Sequence, residues 1–279
     1  MIQLIRAELF KIFRRPRTYI SFAFIAAIAF IIQMAMVADG KSFIDFALQG
    51  VSDQFSLQGN ILNGYLITLI ILQSLLIHVP LVVSLVAGDA LAGEANIGTL
   101  RLLLTRPVSR AKLVLSKFFA GVIYTFLLLI WLAIVGLLLS VLLFGTGDLL
   151  HLKSDAFVMM LKDDVLWRYG AAFAFAALAM TSVCALGLLL SVFADNSIGP
   201  VIGTMLIIIV LTVIANMGIP LFDAVKPYFF TTHMIGWKGF FDDPVPYAAI
   251  TRSAIVLVVY TIGMVGAAIY FFSKKDIKS

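Results

Sequence analysis

The sequence predicts an all-α polytopic membrane protein, and three observations lead to that fold class. Of its 279 residues, 62% are hydrophobic and 13% are charged, whereas soluble domains have about 45–50% apolar and about 25% charged residues. The apolar residues form long runs instead of the amphipathic stripes that build a soluble core. Six of these runs reach the length of about 20 residues that a membrane-spanning helix needs.

The first residues predict an interfacial helix. Over residues 2–13, Ile5, Leu9 and Ile12 share one face with other apolar side chains, while Lys11 lies opposite. A secretory signal peptide is the alternative. It is disfavoured because the next apolar run exceeds the roughly 7–15 residues of a signal core and no A-x-A-like cleavage site follows. We therefore expect residues 1–18 to form an elbow at the membrane surface.

The six predicted spans make up a single transmembrane domain over residues 1–279. They are Tyr19–Val37, Tyr65–Gly88, Phe118–Phe144, Tyr169–Ala194, Ile198–Met217 and Ser253–Phe272. Spans 1 and 2 occupy residues 19–88, a polar connection occupies 89–117, spans 3 to 6 occupy 118–272, and a tail occupies 273–279. The connection Gly218–Arg252 is rich in aromatic residues, which predicts a segment in the headgroup layer, and we expect the same of Gly145–Arg168.

The distribution of charge predicts the orientation. If the N terminus is cytoplasmic, the cytoplasmic segments hold thirteen lysines and arginines against seven outside, and five acids against ten. The resulting net charges are +8 inside and −3 outside, as the positive-inside rule requires. Both termini and the connection 89–117 are therefore predicted to be cytoplasmic. The overall charge of +5 is explained by this orientation without a nucleic-acid partner.

The connection 89–117 has more structure than a linker needs. Thr99 can cap a short leucine-rich helix, and Pro107 disfavours helix at Arg106 and so ends it. Ser109 can then cap the following helix. Because a purely solvated loop has no use for Leu100, Leu103 and Leu104 on one helical side, we expect a docking element for a soluble partner. The alternative is a solvated anchor whose leucines pack on the spans.

The string E…GTLRLLLTRPVSRAKLVLSKF, Glu94 to Phe118, resembles the segment between the second and third spans of ABC-2 type transporter permeases. Ser116 stands where that family often has glycine before the lysine. The resemblance implies a short cytoplasmic coupling helix that docks on a separate ATPase. The residues it assigns to ATPase coupling are Glu94, Gly98, Thr99, Leu100, Arg101, Leu103, Leu104, Arg106, Pro107 and Arg110.

The same resemblance implies a transporter subunit without catalytic activity of its own. ABC ATPase subunits would bind and hydrolyse Mg-ATP, while this chain would bind no cofactor and would form a homodimer or a heterodimer with a paralogous permease. Transport would be export, by alternating access, in the bacterial plasma (inner) membrane. In agreement, the sequence contains no G-x-x-x-x-G-K-[ST] phosphate loop and no closely spaced histidines for a metal.

Few polar residues lie within the predicted spans. His78 precedes Pro80, and we expect it to bond near backbone groups that the proline frees; the alternative places it on a translocation path. Gln33, Gln73 and Asn216 are expected to bond between helices, although Gln73 and Asn216 are also candidates for that path. We expect Cys184 to be a packing residue. We expect Gly199 and Gly203 to allow close helix packing, with a dimer contact as the alternative. Asp195–Ser197 is expected to cap the following helix.

The absence of carboxylates from the predicted spans disfavours a proton- or sodium-coupled carrier. The alternative to an ABC permease is therefore a non-ABC multi-pass protein, either a secondary carrier or a membrane assembly factor. The substrate is left open by the sequence.

Overall fold

The computed structural model describes residues 1–47, 61–99, 108–152 and 157–275. Most of these residues are helical, as expected in a bilayer, where every backbone polar group must be satisfied internally. The helices are α1 (Ile2–Phe13), α2 (Pro16–Ala47), α3 (Gly64–Ser74), α4 (His78–Ala87), α5 (Asp89–Asn96), α6 (Arg110–Leu132), α7 (Leu139–Phe144), α8 (Lys162–Phe193), α9 (Ile198–Asn216), α10 (Phe230–Met234) and α11 (Tyr247–Lys274). A π-helical turn, Ala133–Leu138, joins α6 to α7, and 3-10 turns occupy Pro220–Phe222, Lys226–Tyr228 and Ile235–Phe241.

Among the described residues, five helical segments are long and apolar enough to cross a membrane: Pro16–Ile44, Arg110–Phe144, Lys162–Phe193, Ile198–Asn216 and Tyr247–Lys274. Helices α3 and α4 also qualify when taken together, although they are bent by 53°. The protein is therefore a helical multi-pass membrane protein, as predicted. Helix α6 begins at Arg110, directly after the predicted cap Ser109, whereas α5, which begins at Asp89, was not predicted.

The bundle is built around α8. In its most apolar stretch 61% of the residues are buried, against 22–28% in the other four long segments, so α8 is the central helix. Tyr169 of α8 donates a hydrogen bond to the carbonyl of Tyr65 at 2.6 Å. Cys184 is buried where a Cβ at Gly121 would come within 2.7 Å of its sulfur, which confirms Cys184 as a packing residue.

The break between α3 and α4 has an identifiable cause. Pro80 lacks the N–H that would continue the helical ladder, and its ring crowds the carbonyl four residues earlier. The His78 Nδ1 lies 2.9 Å from the Ser74 carbonyl oxygen at this break. The prediction that His78 bonds to backbone near the proline kink is confirmed.

The π-helical turn is held by polar side chains from two other helices. Such a turn displaces the regular hydrogen-bond ladder. Gln33 of α2 donates to the Val135 carbonyl at 2.8 Å and to the Ser140 hydroxyl at 2.9 Å, and Thr68 of α3 donates to the Gly136 carbonyl at 3.1 Å. The prediction that Gln33 bonds between helices is confirmed.

The sequence did not predict a short hairpin on this bundle. Strand β1 (Leu149–Leu152) pairs antiparallel with β2 (Phe157–Met160), with Leu149 opposite Met160. Asn63, which caps α3, also donates to the Asp148 carbonyl at 2.8 Å and so ties the hairpin to that helix. The all-α expectation therefore misses one small β element.

The aromatic segment before α11 packs into the protein. Phe230, Trp237 and Phe241 are 3%, 6% and 0% exposed, and the Phe241 ring lies 4.9 Å from that of Tyr169. These three side chains therefore pack within the bundle, and the position of the segment in the headgroup layer stays a prediction.

At the start of α9, the Asn196 side chain accepts hydrogen bonds from Ile198 N–H at 3.1 Å and Gly199 N–H at 3.3 Å. This confirms the predicted cap. A Cβ at Gly203 would lie 3.2 Å from Leu190, whereas Gly199 has no such neighbour within 4 Å. Packing within the subunit therefore accounts for Gly203 but leaves Gly199 open.

The contact between α3 and α7 yields a stability prediction. A Cβ on Gly64 would lie 2.5 Å from the Val141 Cα, which is a backbone atom and cannot move aside cheaply. Gly64→Ala should therefore lower the free energy of unfolding in mixed micelles by about 1–3 kcal/mol. Gly263→Ala, on α11 with no neighbour within 4 Å, should stabilise by up to about 1 kcal/mol. Equal stability of the two variants would contradict the close contact.

Candidate functional site

Four charged side chains form a cluster at one end of the bundle, called here the ion-pair cluster: the buried Glu8, Glu94 and Lys117, and the partly exposed Lys11. Glu8 and Lys11 belong to α1, Glu94 to α5 and Lys117 to α6. The Lys117 ammonium lies 2.9 Å from Glu8 Oε2 and 2.8 Å from Glu94 Oε1. The Lys11 ammonium lies 2.8 Å from Glu8 Oε1 and 2.7 Å from the same oxygen of Glu94. Each cation therefore contacts both acids, and the four formal charges cancel.

Burial makes these contacts matter for stability. The side chains of Lys117 and Glu94 are only 1% and 4% exposed. Removing charges from water costs several kcal/mol per ion, and only close opposite charges with good geometry offset that cost. The cluster therefore couples its elements, because moving any one of them separates a buried charge from its partners.

The pKa shifts of the two α1 residues agree with this geometry. Burial alone would raise the pKa of Glu8, but the Lys117 ammonium and the hydrogen bonds from Lys11 and Lys117 outweigh it and hold the pKa below its ordinary value. Burial alone would lower the pKa of Lys11, yet its bonds to Glu8 and Glu94 raise it. Both groups are therefore held in their charged forms.

A second set of contacts fixes the beginning of α5. Asp89 accepts contacts from Arg15 and Arg17, which flank the start of α2, and from the Ser197 hydroxyl before α9. Gly93 leaves the space that the Asp89 carboxylate occupies, since a Cβ there would overlap it. An acid at this position also interacts favourably with the N-terminal end of the helix dipole.

The first turn of α5 is also bonded to the central helix. The Ser191 hydroxyl of α8 accepts hydrogen bonds from the N–H groups of Leu91 at 2.9 Å and Ala92 at 2.8 Å. Helix α5 is therefore joined to α1, α2, α6, α8 and the start of α9 within its eight residues.

The predicted coupling residues divide into two groups. Glu94, Gly98, Thr99 and Arg110 are described, whereas Leu100, Arg101, Leu103, Leu104, Arg106 and Pro107 lie outside the described residues. Gly98 has a φ of 73°, a left-handed conformation that glycine adopts without strain. The Thr99 hydroxyl lies 3.4 Å from the Glu94 carbonyl. The chain therefore turns sharply just after α5, and Ser109 caps α6 as predicted, accepting from Lys112 N–H.

Arg110, one of the predicted coupling residues, makes contacts within the subunit. Its guanidinium donates to the carbonyls of Phe272, Ser273 and Lys275 at 3.0, 3.1 and 2.8 Å. A cation suits these carbonyls at the C-terminal end of α11, so Arg110 anchors the start of α6 to α11.

The candidate path residues are not brought together with the ion-pair cluster. Gln73 is exposed at the end of α3, and His78 bonds to Ser74 as described. Asn216 is exposed and donates to the Thr212 carbonyl of its own helix at 2.7 Å. The expectation of an interhelical bond is therefore wrong for Asn216.

Sequence reasoning missed most of the ion-pair cluster. Glu8 was not singled out, nor were the partners of Asp89. One signal was present: Glu8 is the sole acid in the first 38 residues and lies between Ile5, Leu9 and Ile12 on the apolar side of α1. A lone acid on an apolar helix face requires a buried partner, which the sequence alone does not identify. Within the described residues, no group of three or more His, Cys, Asp or Glu side chains is arranged to hold a metal ion.

Residues 18–278 match the family described as protein of unknown function (DUF2705). The chain belongs to this family. It is also 40% identical over 63 residues to the uncharacterized protein YhcI of Bacillus subtilis (strain 168), a stretch that covers 23% of this chain and 20% of that protein. Asp89, Glu94 and Lys117 lie within the DUF2705 match, and Glu8 and Lys11 precede it.

The ion-pair cluster predicts a large difference between two lysines of α6. Lys117→Met should lower the free energy of unfolding by about 3–5 kcal/mol, because two buried carboxylates lose a partner. Lys112→Met, one and a half turns away and exposed, should change it by no more than about 0.5 kcal/mol. Equilibrium unfolding in mixed micelles measures both.

A compensating variant separates charge from packing. Glu94→Gln in the Lys117→Met background should recover part of the lost stability, because it removes the one negative charge that Lys11 leaves uncompensated. If Lys117→Met and Lys112→Met were equally stable, the cluster would not hold the elements together.

Proposed function

We propose that this protein is the permease subunit of an ABC-2 type transporter, and that the transporter is an exporter. Its cytoplasmic connection would dock on a separate ATPase that binds and hydrolyses Mg-ATP. Two copies, or one copy and a paralogous permease, would together form the transmembrane path. The proposal rests on the resemblance at Glu94–Phe118 and on the position of that segment in the fold.

One observation carries the proposal: the segment resembling the coupling loop begins in α5, a short helix that contacts α1, α2, α6, α8 and the start of α9. Glu94 lies in the ion-pair cluster, and the Gly98 turn follows it directly. A displacement of the segment after Gly98 would therefore act on α1 and α6 through Glu94. At the other end of the segment, Arg110 would pass the displacement to α11.

The proposed topology has six spans, with α3 and α4 forming one bent span. Both termini and residues 89–117 would be cytoplasmic, in line with the net charges of +8 and −3 on the two sides. The ion-pair cluster would then lie at the cytoplasmic end and the hairpin β1–β2 at the external end. This arrangement puts the buried charges beside the ATPase instead of at mid-membrane.

The alternative of a secondary carrier or assembly factor has no comparable support. A carrier driven by protons or sodium is expected to place ionisable groups along its path. In the part of the chain that the structure describes, the ion pairs of Lys117, Glu94 and Asp89 are instead at one end of the bundle.

Topology is tested by cysteine labelling in whole cells, with Cys184→Ala as the background. Asp243→Cys, exposed in the segment before α11, should react with an impermeant thiol reagent. Asn96→Cys, exposed at the end of α5, should react only after permeabilisation. The reverse result would invalidate the orientation and, with it, the docking proposal.

Docking is tested by co-purifying an ATPase with this chain. Leu103→Asp should abolish the complex, because placing an unpaired charge in a dry interface costs several kcal/mol. Arg106→Ala should weaken it less, since exposed ion pairs contribute about 0–1 kcal/mol. Glu94→Gln should leave binding largely intact and reduce the stimulation of ATP hydrolysis.

The controls for this experiment are membrane insertion and basal hydrolysis. Each variant should insert like wild type, and the purified chain without its partner should hydrolyse no ATP above background. The docking proposal fails if Leu103→Asp inserts normally and still binds and stimulates the ATPase like wild type. Sustained hydrolysis by the chain alone would refute the assignment of catalysis to a partner.

A further inference from the structure

A second feature lies away from the ion-pair cluster: an apolar cavity of ≈ 170 Å³ inside the bundle. It lies between the bend of α3 and α4, helices α6, α8 and α9, and the segment Thr231–Trp237. Three features of the fold create it. The bend at Pro80 separates α4 from its neighbours, alanines of α8 such as Ala172 and Ala176 leave room, and the aromatic segment closes one end.

The cavity opens sideways. Ile77, Ile209 and Val213 contribute to its lining, yet they are 55%, 44% and 54% exposed on the outer surface of the bundle. These residues belong to membrane-spanning segments or to the bend between α3 and α4. With these helices spanning the bilayer, as their length and composition indicate, the mouth would face lipid instead of water.

The lining favours an apolar occupant. No charged side chain lines it among the described residues, and its side-chain hydroxyls are those of Thr212 and Thr231. A buried water needs two to four polar partners, and an apolar cavity of about 150 Å³ is known to stay dry and to bind benzene. A segment of an alkyl chain has the required size and chemistry.

One polar group in the lining has no partner. Thr231 is 4% exposed, and its hydroxyl is buried without a hydrogen bond. A buried hydroxyl without a partner is costly, so an occupant that accepts its hydrogen bond would be favoured. Thr212 lies one turn before the end of α9 at Asn216, about 6 Å along the helix axis. Thr212 is therefore near the end of a span, the depth at which the ester carbonyls of lipids lie, and Thr231 lines the same cavity.

We propose that this cavity binds one acyl chain of a bilayer phospholipid, which enters between Ile77 and Val213. The ester carbonyl of that chain accepts a hydrogen bond from Thr231, and the chain runs inward along α8 towards Met180. The site requires no ATPase and no second subunit, so it is independent of the proposed transport function.

Photolabelling in nanodiscs tests this site with the full-length chain alone. The probe is a phosphatidylcholine with a diazirine on one ester-linked acyl chain. Met180 and Met234 are 7% and 8% exposed, so bulk lipid does not reach them. A diazirine near the ester should label Met234, and one at the chain end should label Met180. Labels confined to outward residues such as Val213 would overturn the proposal without any variant being needed.

Two variants on α8 form a matched pair. Ala176→Phe fills the cavity and should reduce labelling of Met180 and Met234 by about tenfold or more, equivalent to about 1.4 kcal/mol of binding free energy. Ala174→Phe adds the same ring on the exposed face of the same helix and should leave this labelling unchanged. Equal labelling of the two variants would show that the probe does not occupy the cavity.

Thr231→Val tests the polar contact. Loss of one hydrogen bond should reduce labelling by the ester-linked probe about two- to tenfold. An ether-linked probe lacks the carbonyl, so its labelling should be the same in Thr231→Val and wild type. An equal reduction with both probes would overturn the assignment of the carbonyl to Thr231.

Discussion

The position of α5 depends on Lys117. This lysine comes from a helix that crosses the membrane, and it lies between one acid of the N-terminal helix and one acid at the end of α5. Because its ammonium is almost fully buried, the two carboxylates are needed to offset the free-energy cost of removing its charge from water. Helix α1 is thus fixed to the bundle by charge as well as by its apolar face, and the segment after α5 begins from a defined position.

The ion-pair cluster and the lateral cavity differ in the interactions that give them specificity. At the ion-pair cluster, specificity comes from geometry, since each charge is stable only beside its partners. In the lateral cavity, the walls are apolar and specificity comes from shape and from one hydroxyl. The two are separated along the bundle axis, so a change in the occupancy of the cavity and a change at the connection 89–117 act on different parts of α8 and α6.

Much of the fold could be predicted from the sequence, because hydrocarbon imposes helices of a known minimum length. The apolar runs, the interfacial helix, the Ser109 and Asn196 caps and the bend at Pro80 all follow from local rules. The hairpin Leu149–Met160 could not be predicted in this way, because its pairing depends on packing against α3 and its anchor at Asn63.

The candidate site was predictable only in part, for the same reason. Glu94 and Gly98 could be singled out by motif and by backbone preference. Glu8 and Lys117 are 109 residues apart, and nothing local indicates that they meet. Arg110 was singled out by the motif, but nothing local predicts that its guanidinium donates to the carbonyls of Phe272, Ser273 and Lys275 at the end of α11.

The contacts of Arg110 have a consequence for the ends of the chain. Residues 99–109 connect two anchor points, one of which leads through Glu94 to the first helix and the other through Arg110 to the last. The first and the last helix are therefore both joined to the ends of this connection. A truncation that removes Glu8 and Lys11, or one that removes the end of α11, would take away one of its two anchors.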